Sequence, residues 1–396
     1  MKITDVRTML LLGPDPHGVG GLERSWHVLF VRIDTDAGLY GLGEAGNFFG
    51  DRQAIAYARE WLIGRDPLTI RPFVRAMLSG GLPPYEPQMS PTATVDGPAA
   101  WAVSGVEMAL CDLAGKILGT PVYNLLGGAF RDRIRVYLDR SGIADPTDLG
   151  EWRALAERVL ADGFRDFKFD AEWIAPEVNR DPWNRQMRSD QVRLTYERLA
   201  VVREVAGPDA EIALDGHFSF DVETAIRLAR ALEPLDLKWF EDPVPILNFD
   251  AQKRVRDESP IPICAGEMLV ADQFREMIDR RAVDIVHPDL LFVGGLHEGK
   301  KVADYADLNG IPLAIHNNGS AMNTVAEAHL GAACPNFIGL EYHFWDAKWI
   351  GQVVRREGVP LFDETGHVPL TDAPGFGVEI DTTIAERYLA SGESLF

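Results

Sequence analysis

The stretch Glu211-Ile212-Ala213-Leu214-Asp215-Gly216-His217-Phe218 decides how the chain is read. An apolar run ends in Asp215, passes Gly216 and reaches His217. Two later runs end alike: Lys238-Trp239-Phe240 meets Glu241, and Pro262-Ile263-Cys264-Ala265-Gly266 meets Glu267. The acids are spaced by 26 and 26 residues, the length of one strand, loop, helix and return loop. They therefore belong at equivalent points of consecutive βα units.

In a parallel barrel the C-terminal strand ends face one mouth. Carboxylates converging there repel unless a positive charge sits among them. Three oxygen ligands, with room for water and substrate, suit a hard divalent cation, Mg²⁺ first and Mn²⁺ second.

Outward from this centre, residues 131–364 alternate strand and helix patterns and predict the barrel. Its first strand is Ile134-Arg135-Val136-Tyr137-Leu138 and its second Asp166-Phe167-Lys168-Phe169. About twenty residues then precede a helix over 192–205, and this stretch, with Trp173 and Trp183, reads as a lid or specificity loop. The sixth strand runs into His287-Pro288-Asp289, the seventh ends in His316 and the eighth in Glu341. Residues 1–130 predict an α+β cap: an antiparallel sheet over 2–45, interrupted by a Gly- and Pro-rich loop over 13–21, then a helix over 99–118 stopped by Gly119-Thr120-Pro121. The loop-rich tail, 365–396, is expected to return to the cap and complete it.

Composition narrows the partners. The 396-residue chain is 46% hydrophobic, enough for a large core, and its net charge of −21 argues against nucleic acid and anionic membranes. No run reaches a membrane span of ~18 apolar residues, and the N-terminus lacks the apolar core of a signal peptide. Cys111, Cys264 and Cys334 have no paired spacing and read as buried free thiols. The expectation is a cytoplasmic protein acting on a small molecule, with a symmetric homo-oligomer as the ordinary assembly.

The ionisable strand ends are Lys168, Asp215 with His217, Glu241, Glu267, Asp289, His316 and Glu341. A single acid or histidine after a strand is ordinarily a helix cap or a satisfied polar group. Such a reading must hold seven times in a row to explain this series. His287 and His297 have no such spacing and read as structural.

With these residues in view, the chain resembles the enolase superfamily in its mandelate racemase subgroup. The resemblance rests on Gly105-Val106-Glu107-Met108-Ala109-Leu110-Cys111-Asp112-Leu113-Ala114-Gly115-Lys116, Trp239-Phe240-Glu241-Asp242-Pro243, Ala265-Gly266-Glu267, and Pro288-Asp289 with Gly294-Gly295. It implies a modified TIM barrel, (β/α)7β, under an α+β cap, with Mg²⁺ held by Asp215, Glu241 and Glu267. It also implies an Asp289–His316 dyad whose imidazole abstracts a proton, and Glu341 hydrogen-bonding a substrate carboxylate; Glu341 must be protonated to donate, which a crowded anionic site favours. Lys168 would lie near that carboxylate.

One departure carries information. The racemase pattern Lys-x-Lys is here Lys168-Phe169-Asp170, without its second base, whereas His217 resembles the general acid of acid-sugar dehydratases such as galactonate dehydratase. The resemblance thus implies an acid-sugar dehydratase. The alternatives are a racemase, epimerase or cycloisomerase using the same enediolate, and a non-catalytic protein keeping the fold. Candidate substrate-reading residues are His17 and Arg24 in the cap loop, Asn47 in Gly46-Asn47-Phe48-Phe49, Asp170, and Trp345.

Overall fold

Period-two alternation builds the first layer. In the computed structural model, which describes residues 1–14, 25–46, 50–79, 96–139, 143, 145–174, 184–343 and 347–396, strands β1 (Ile3–Pro14), β2 (Ser25–Thr35) and β3 (Tyr40–Ala45) form an antiparallel sheet in that order. The sheet packs on helix Pro98–Leu118, which Gly119 ends in the left-handed region at φ 64°. The approach is close. A Cβ on Gly41 would lie 2.0 Å from the Ala109 carbonyl oxygen, and one on Gly43 2.3 Å from that of Gly105. Only glycine lets the strand come this near the helix backbone.

Two buried acids of the same helix tie the layers together. Glu107 accepts the backbone N–H groups of Leu296 (2.8 Å) and His297 (3.1 Å), at the start of helix Leu296–Leu308, where a negative charge meets the positive end of the helix dipole. Asp112 accepts from the N–H of Leu42 (2.9 Å) and of Phe376 (2.8 Å) and pairs with Lys116 (2.7 Å). The first clamp holds the helix to the barrel, the second to the cap sheet and the tail.

The barrel strands are β4 (Arg133–Asp139), β5 (Phe167–Asp170), β6 (Ile212–Asp215), β7 (Trp239–Glu241), β8 (Ile263–Ala265), β9 (Ile285–Val286), β10 (Leu313–Ile315) and β11 (Phe337–Tyr342). They pair parallel in sequence order, and β11 closes on β4 through Leu340 with Val136, Glu341 with Tyr137 and Tyr342 with Leu138. Tyr137, Ala213, Trp239, Cys264, Ile285 and Ala314 form one packed cluster inside. Side chains alternate along a strand, so the residue two positions on faces inward one layer nearer the mouth. That step leads to Asp139, Asp215, Glu241, His287 and His316.

The structure adds detail that the sequence pattern lacks. A short helix, Ala171–Ile174, follows β5, and the next helix, Ser189–Ala206, begins before the expected position. The Gln191 side chain accepts the Arg188 N–H at 2.7 Å and caps those earlier turns. The tail touches both layers. Strand β12 (Val354–Arg355) pairs with β14 (Glu379–Ile380), β13 (His367–Pro369) runs antiparallel to β4, and the Leu12 N–H donates to the Tyr388 carbonyl at 2.7 Å. The three cysteines are buried and unpaired. Among the described residues no helix is long and apolar enough to cross a membrane.

Gly43→Ala should overpack the strand–helix contact and lower stability by about 1–3 kcal/mol, read from the denaturant midpoint. An unchanged midpoint would contradict the close approach.

Candidate active site

Strand pairing brings the acids side by side. Asp215 lies beside Asp170 on one flank and Glu241 on the other. Ligand atoms of Asp215, Glu241 and Glu267 all fall within 4.8 Å of one another, and all three side chains are buried. The Lys168 ammonium sits among them, 3.0 Å from Asp215 Oδ2, 2.7 Å from Glu241 Oε1 and 3.0 Å from Glu341 Oε1. One ammonium against four carboxylates leaves the cluster strongly anionic.

The described residues hold four other groups of acid, histidine and cysteine at similar separations. Each of those includes a histidine, and two include a cysteine. Asp215, Glu241 and Glu267 alone form an all-oxygen set, which is the donor chemistry of Mg²⁺ or Mn²⁺. The residues therefore fit a hard divalent cation.

The electrostatics reflect the crowding. Burial, reinforced by the charge of Glu241, pushes Asp215 well above the usual carboxylate range. Burial acts on Glu241 in the same direction, but His287 and Lys168 beside it bring it well below. Glu267 is lowered to about 2 against burial, chiefly by His316. Burial works against the Lys168 charge, yet Glu241, Glu341 and Asp215 hold its affinity for its proton well above normal.

Two imidazoles flank the triad. His316 Nδ1 lies 2.7 Å from Asp289 Oδ2, and its Nε2 is 3.1 Å from Glu267 Oε2. Asp289 is fixed in turn by the N–H groups of Leu291 (2.7 Å) and Asn318 (3.1 Å). Burial disfavours a charged His316, but Glu341, Glu267 and Asp289 raise it well above the ordinary histidine value. On the other flank His217 Nε2 is 3.6 Å from Asp215 Oδ2, with its side chain one-third exposed at 33%.

His217 and Phe218 both have positive φ, 41° and 58°. Such conformations cost about 1–3 kcal/mol each and persist only where the surroundings impose them. Here the loop is laced to the one after β7: Gly216 N–H to Glu241 O (2.9 Å), Phe218 N–H to Asp242 O (2.7 Å) and Phe220 N–H to Pro243 O (3.0 Å).

Several partners were not evident from spacing. His287, expected to be structural, lies directly beneath the site: its Nδ1 is 3.3 Å from Glu241 Oε1 and its Nε2 2.7 Å from the Tyr137 hydroxyl. Tyr137 donates to Glu341 Oε2 at 3.2 Å, and Trp239 Nε1 to Glu241 Oε2 at 2.9 Å. Glu341 thus accepts from the Tyr137 hydroxyl through Oε2, and its Oε1 faces the Lys168 ammonium at 3.0 Å. Lys168 is shared between Glu341 and the triad. Asp139 and His343, paired with each other, also lie outside the spaced series of strand ends. Inward parity two residues from Ile285, Tyr137 and Glu341 is the signal that marks His287, Asp139 and His343.

Asp170 is buried, with a ligand atom within 4.8 Å of those of Asp215 and His217. His17, Arg24, Asn47, Phe48, Phe49, Trp183 and Trp345 lie outside the described residues, as does the side chain of Trp173.

Asp215 and His316 hold protons more tightly than usual in this crowded cluster. A divalent cation competes with those protons. Its affinity should therefore rise with pH, with net proton release on binding. Calorimetry in buffers of different ionisation enthalpy measures both; a pH-independent affinity would contradict the shared-proton picture.

Comparison with known proteins agrees with this architecture. Residues 6–127 match the mandelate racemase / muconate lactonizing enzyme N-terminal domain, and residues 151–384 the enolase C-terminal domain-like family. The chain is 37% identical over 401 residues to a D-xylonate dehydratase of Haloferax volcanii, spanning 100% of this chain and 90% of that protein. It is 31% identical over 423 residues to a D-galactonate dehydratase family member of Musicola paradisiaca, spanning 99% and 95%. A crystal structure of a mandelate racemase/muconate lactonizing enzyme-like protein from Rubrobacter xylanophilus superposes with a TM-score of 0.87 at 36% identity, covering 100% of this chain and 99% of the other.

Proposed function

Because the chain belongs to the enolase superfamily, within its mandelate racemase / muconate lactonizing enzyme group, we propose that it is a Mg²⁺-dependent dehydratase of aldonate-type acid sugars. The reaction removes the proton next to the carboxylate and expels the hydroxyl one carbon further, giving a 2-keto-3-deoxy acid. The observation that carries this reading is the pair of imidazoles on separate flanks of the carboxylate triad: His316 against Glu267 at 3.1 Å and His217 against Asp215 at 3.6 Å. A base at C2 and an acid at the C3 hydroxyl require two such groups addressing one substrate. The relatives named for D-xylonate and D-galactonate extend the reading to sugar acids of that kind.

The chain's own residues divide the work. Asp289 takes the Nδ1 side of His316, fixing the tautomer that leaves Nε2 to accept the C2 proton. Lys168 and Glu341, 3.0 Å apart, form the polar wall that meets the substrate carboxylate. His217, on its strained turn, gives its proton to the departing hydroxyl, a step worth about 10²–10⁴-fold. Asp215, Glu241 and Glu267 would hold a divalent cation, whose positive charge would stabilise negative charge developing on the substrate. After water is lost, the enol ketonises. A two-base racemisation through a second-strand lysine is disfavoured, since Asp170 occupies that position and is buried beside Asp215.

Aldonates incubated with enzyme and Mg²⁺ should give 2-keto acid, and excess chelator should abolish the activity. His217→Asn should cut dehydration by about 10²–10⁴-fold while C2 proton exchange with D₂O continues, whereas His316→Asn should abolish both. A product inverted at C2 without loss of water would overturn the dehydratase reading in favour of an isomerase.

A further inference from the structure

One layer above Glu341 the barrel carries a second histidine–aspartate pair. Glu341 pairs with Tyr137 and Tyr342 with Leu138, so the next inward step on the two strands brings His343 to Asp139. His343 Nδ1 lies 2.5 Å from Asp139 Oδ2, the same atom pairing as in His316–Asp289. Asp139 is 2% exposed, and the His343 side chain retains 18% exposure. The pair borders the reaction centre: His343 Nδ1 is 3.8 Å from Glu341 Oε1, and Asp139 pairs with Lys168 in the barrel sheet. Its other neighbour is the cap, where the Trp26 ring centroid on β2 lies 6.1 Å away.

Resting on the dehydratase reading, we propose that His343, oriented by Asp139, is a specificity residue that hydrogen-bonds a hydroxyl of the acid sugar beyond its reacting C2 and C3. The position favours this role over proton transfer at those carbons. Glu341 and the triad address the carboxylate end of the substrate, and His343 lies towards the mouth, where the remaining carbons extend. With Nδ1 committed to Asp139, Nε2 is the nitrogen through which the ring acts on a ligand.

The pair is also short of a donor. Asp139 Oδ1 is buried and has no hydrogen-bond partner among the described residues. A buried carboxylate oxygen in that state is costly for a purely structural pair, and a polyol supplies the missing donor. Burial opposes charge on both residues, but Lys168 and His343 hold Asp139 well below the carboxylate range, and Asp139 raises His343 to about 9. At neutral pH the two form an ion pair with no net charge. Such a pair donates to and accepts from a hydroxyl, and gives a second carboxylate no net attraction.

The test measures binding and turnover by the full-length protein with Mg²⁺, using five- and six-carbon aldonates and glycerate, which has no carbons beyond C3. His343→Gln and the near-isosteric Asp139→Asn should each weaken aldonate binding and lower kcat/KM by about 10–100-fold, with glycerate unaffected. Equal losses on glycerate and aldonate, with melting temperature and Mg²⁺ affinity intact, would reduce the pair to a structural role. So would unchanged aldonate affinity in both variants. If the wild type dehydrates none of these acids, the dehydratase reading fails, and calorimetric binding of aldonate against glycerate still decides the role of His343.

Discussion

Four buried carboxylates sharing one lysine is the constraint on which the rest of the structure depends. Asp215, Glu241, Glu267 and Glu341 project into one low-dielectric space, and the Lys168 ammonium touches three of them at 2.7–3.0 Å. Such a cluster is unstable unless every acid is anchored, because an unpaired buried charge costs several kcal/mol. The anchors come from the layer beneath. Trp239 donates to Glu241, Tyr137 to Glu341, and His287 bridges the two sides between Tyr137 and Glu241. The inward parity of the strands delivers these groups together, so closing the barrel and assembling the site are one event.

The cap enters the same electrostatic network. Glu44 on β3 is buried and accepts from the Ser320 N–H (2.8 Å), the Ser320 hydroxyl (2.6 Å) and the Asn323 N–H (3.2 Å). Burial raises Glu44 to about 7, although these hydrogen bonds work the other way. Ser320 follows His316 in the loop after β10, so the cap sheet steadies the loop that carries His316. Asn323 continues the chain of contacts to Glu327, which accepts the Leu290 N–H next to Asp289. With the Glu107 clamp, cap and barrel meet through buried acids that end on backbone N–H groups. Cap geometry and the aim of His316 are thereby coupled.

The barrel was legible because its strands repeat one signal: an apolar run ending in an ionisable residue, every 22–27 residues over most of its length. Asp215, Glu241 and Glu267 stand out for that reason, and Asp289 and His316 extend the series. Asp139 and His343 do not, since neither is the first polar residue at the end of a spaced run. Tyr137 and His287 were hidden differently. One is an aromatic inside a strand, and the other precedes the more conspicuous Asp289. The Glu44 contacts span 276 residues, a separation that no local pattern encodes. Strand β13 has three residues, too few for periodicity, and is held by pairing with β4. The residues without a local signal are those defined by their partners in space, and Tyr137, His287, Asp139 and His343 among them line the carboxylate cluster.

The account stands or falls on where a cation binds. Crystals of the protein grown with Mn²⁺ and measured at the manganese absorption edge test this directly. The account predicts one strong anomalous peak at carboxylate–metal distance, about 2.0–2.6 Å, from oxygens of Asp215, Glu241 and Glu267, with the Lys168 ammonium moved off the triad. A peak held by Asp139, Glu341 and His343, or no peak within the barrel at saturating Mn²⁺, would contradict it.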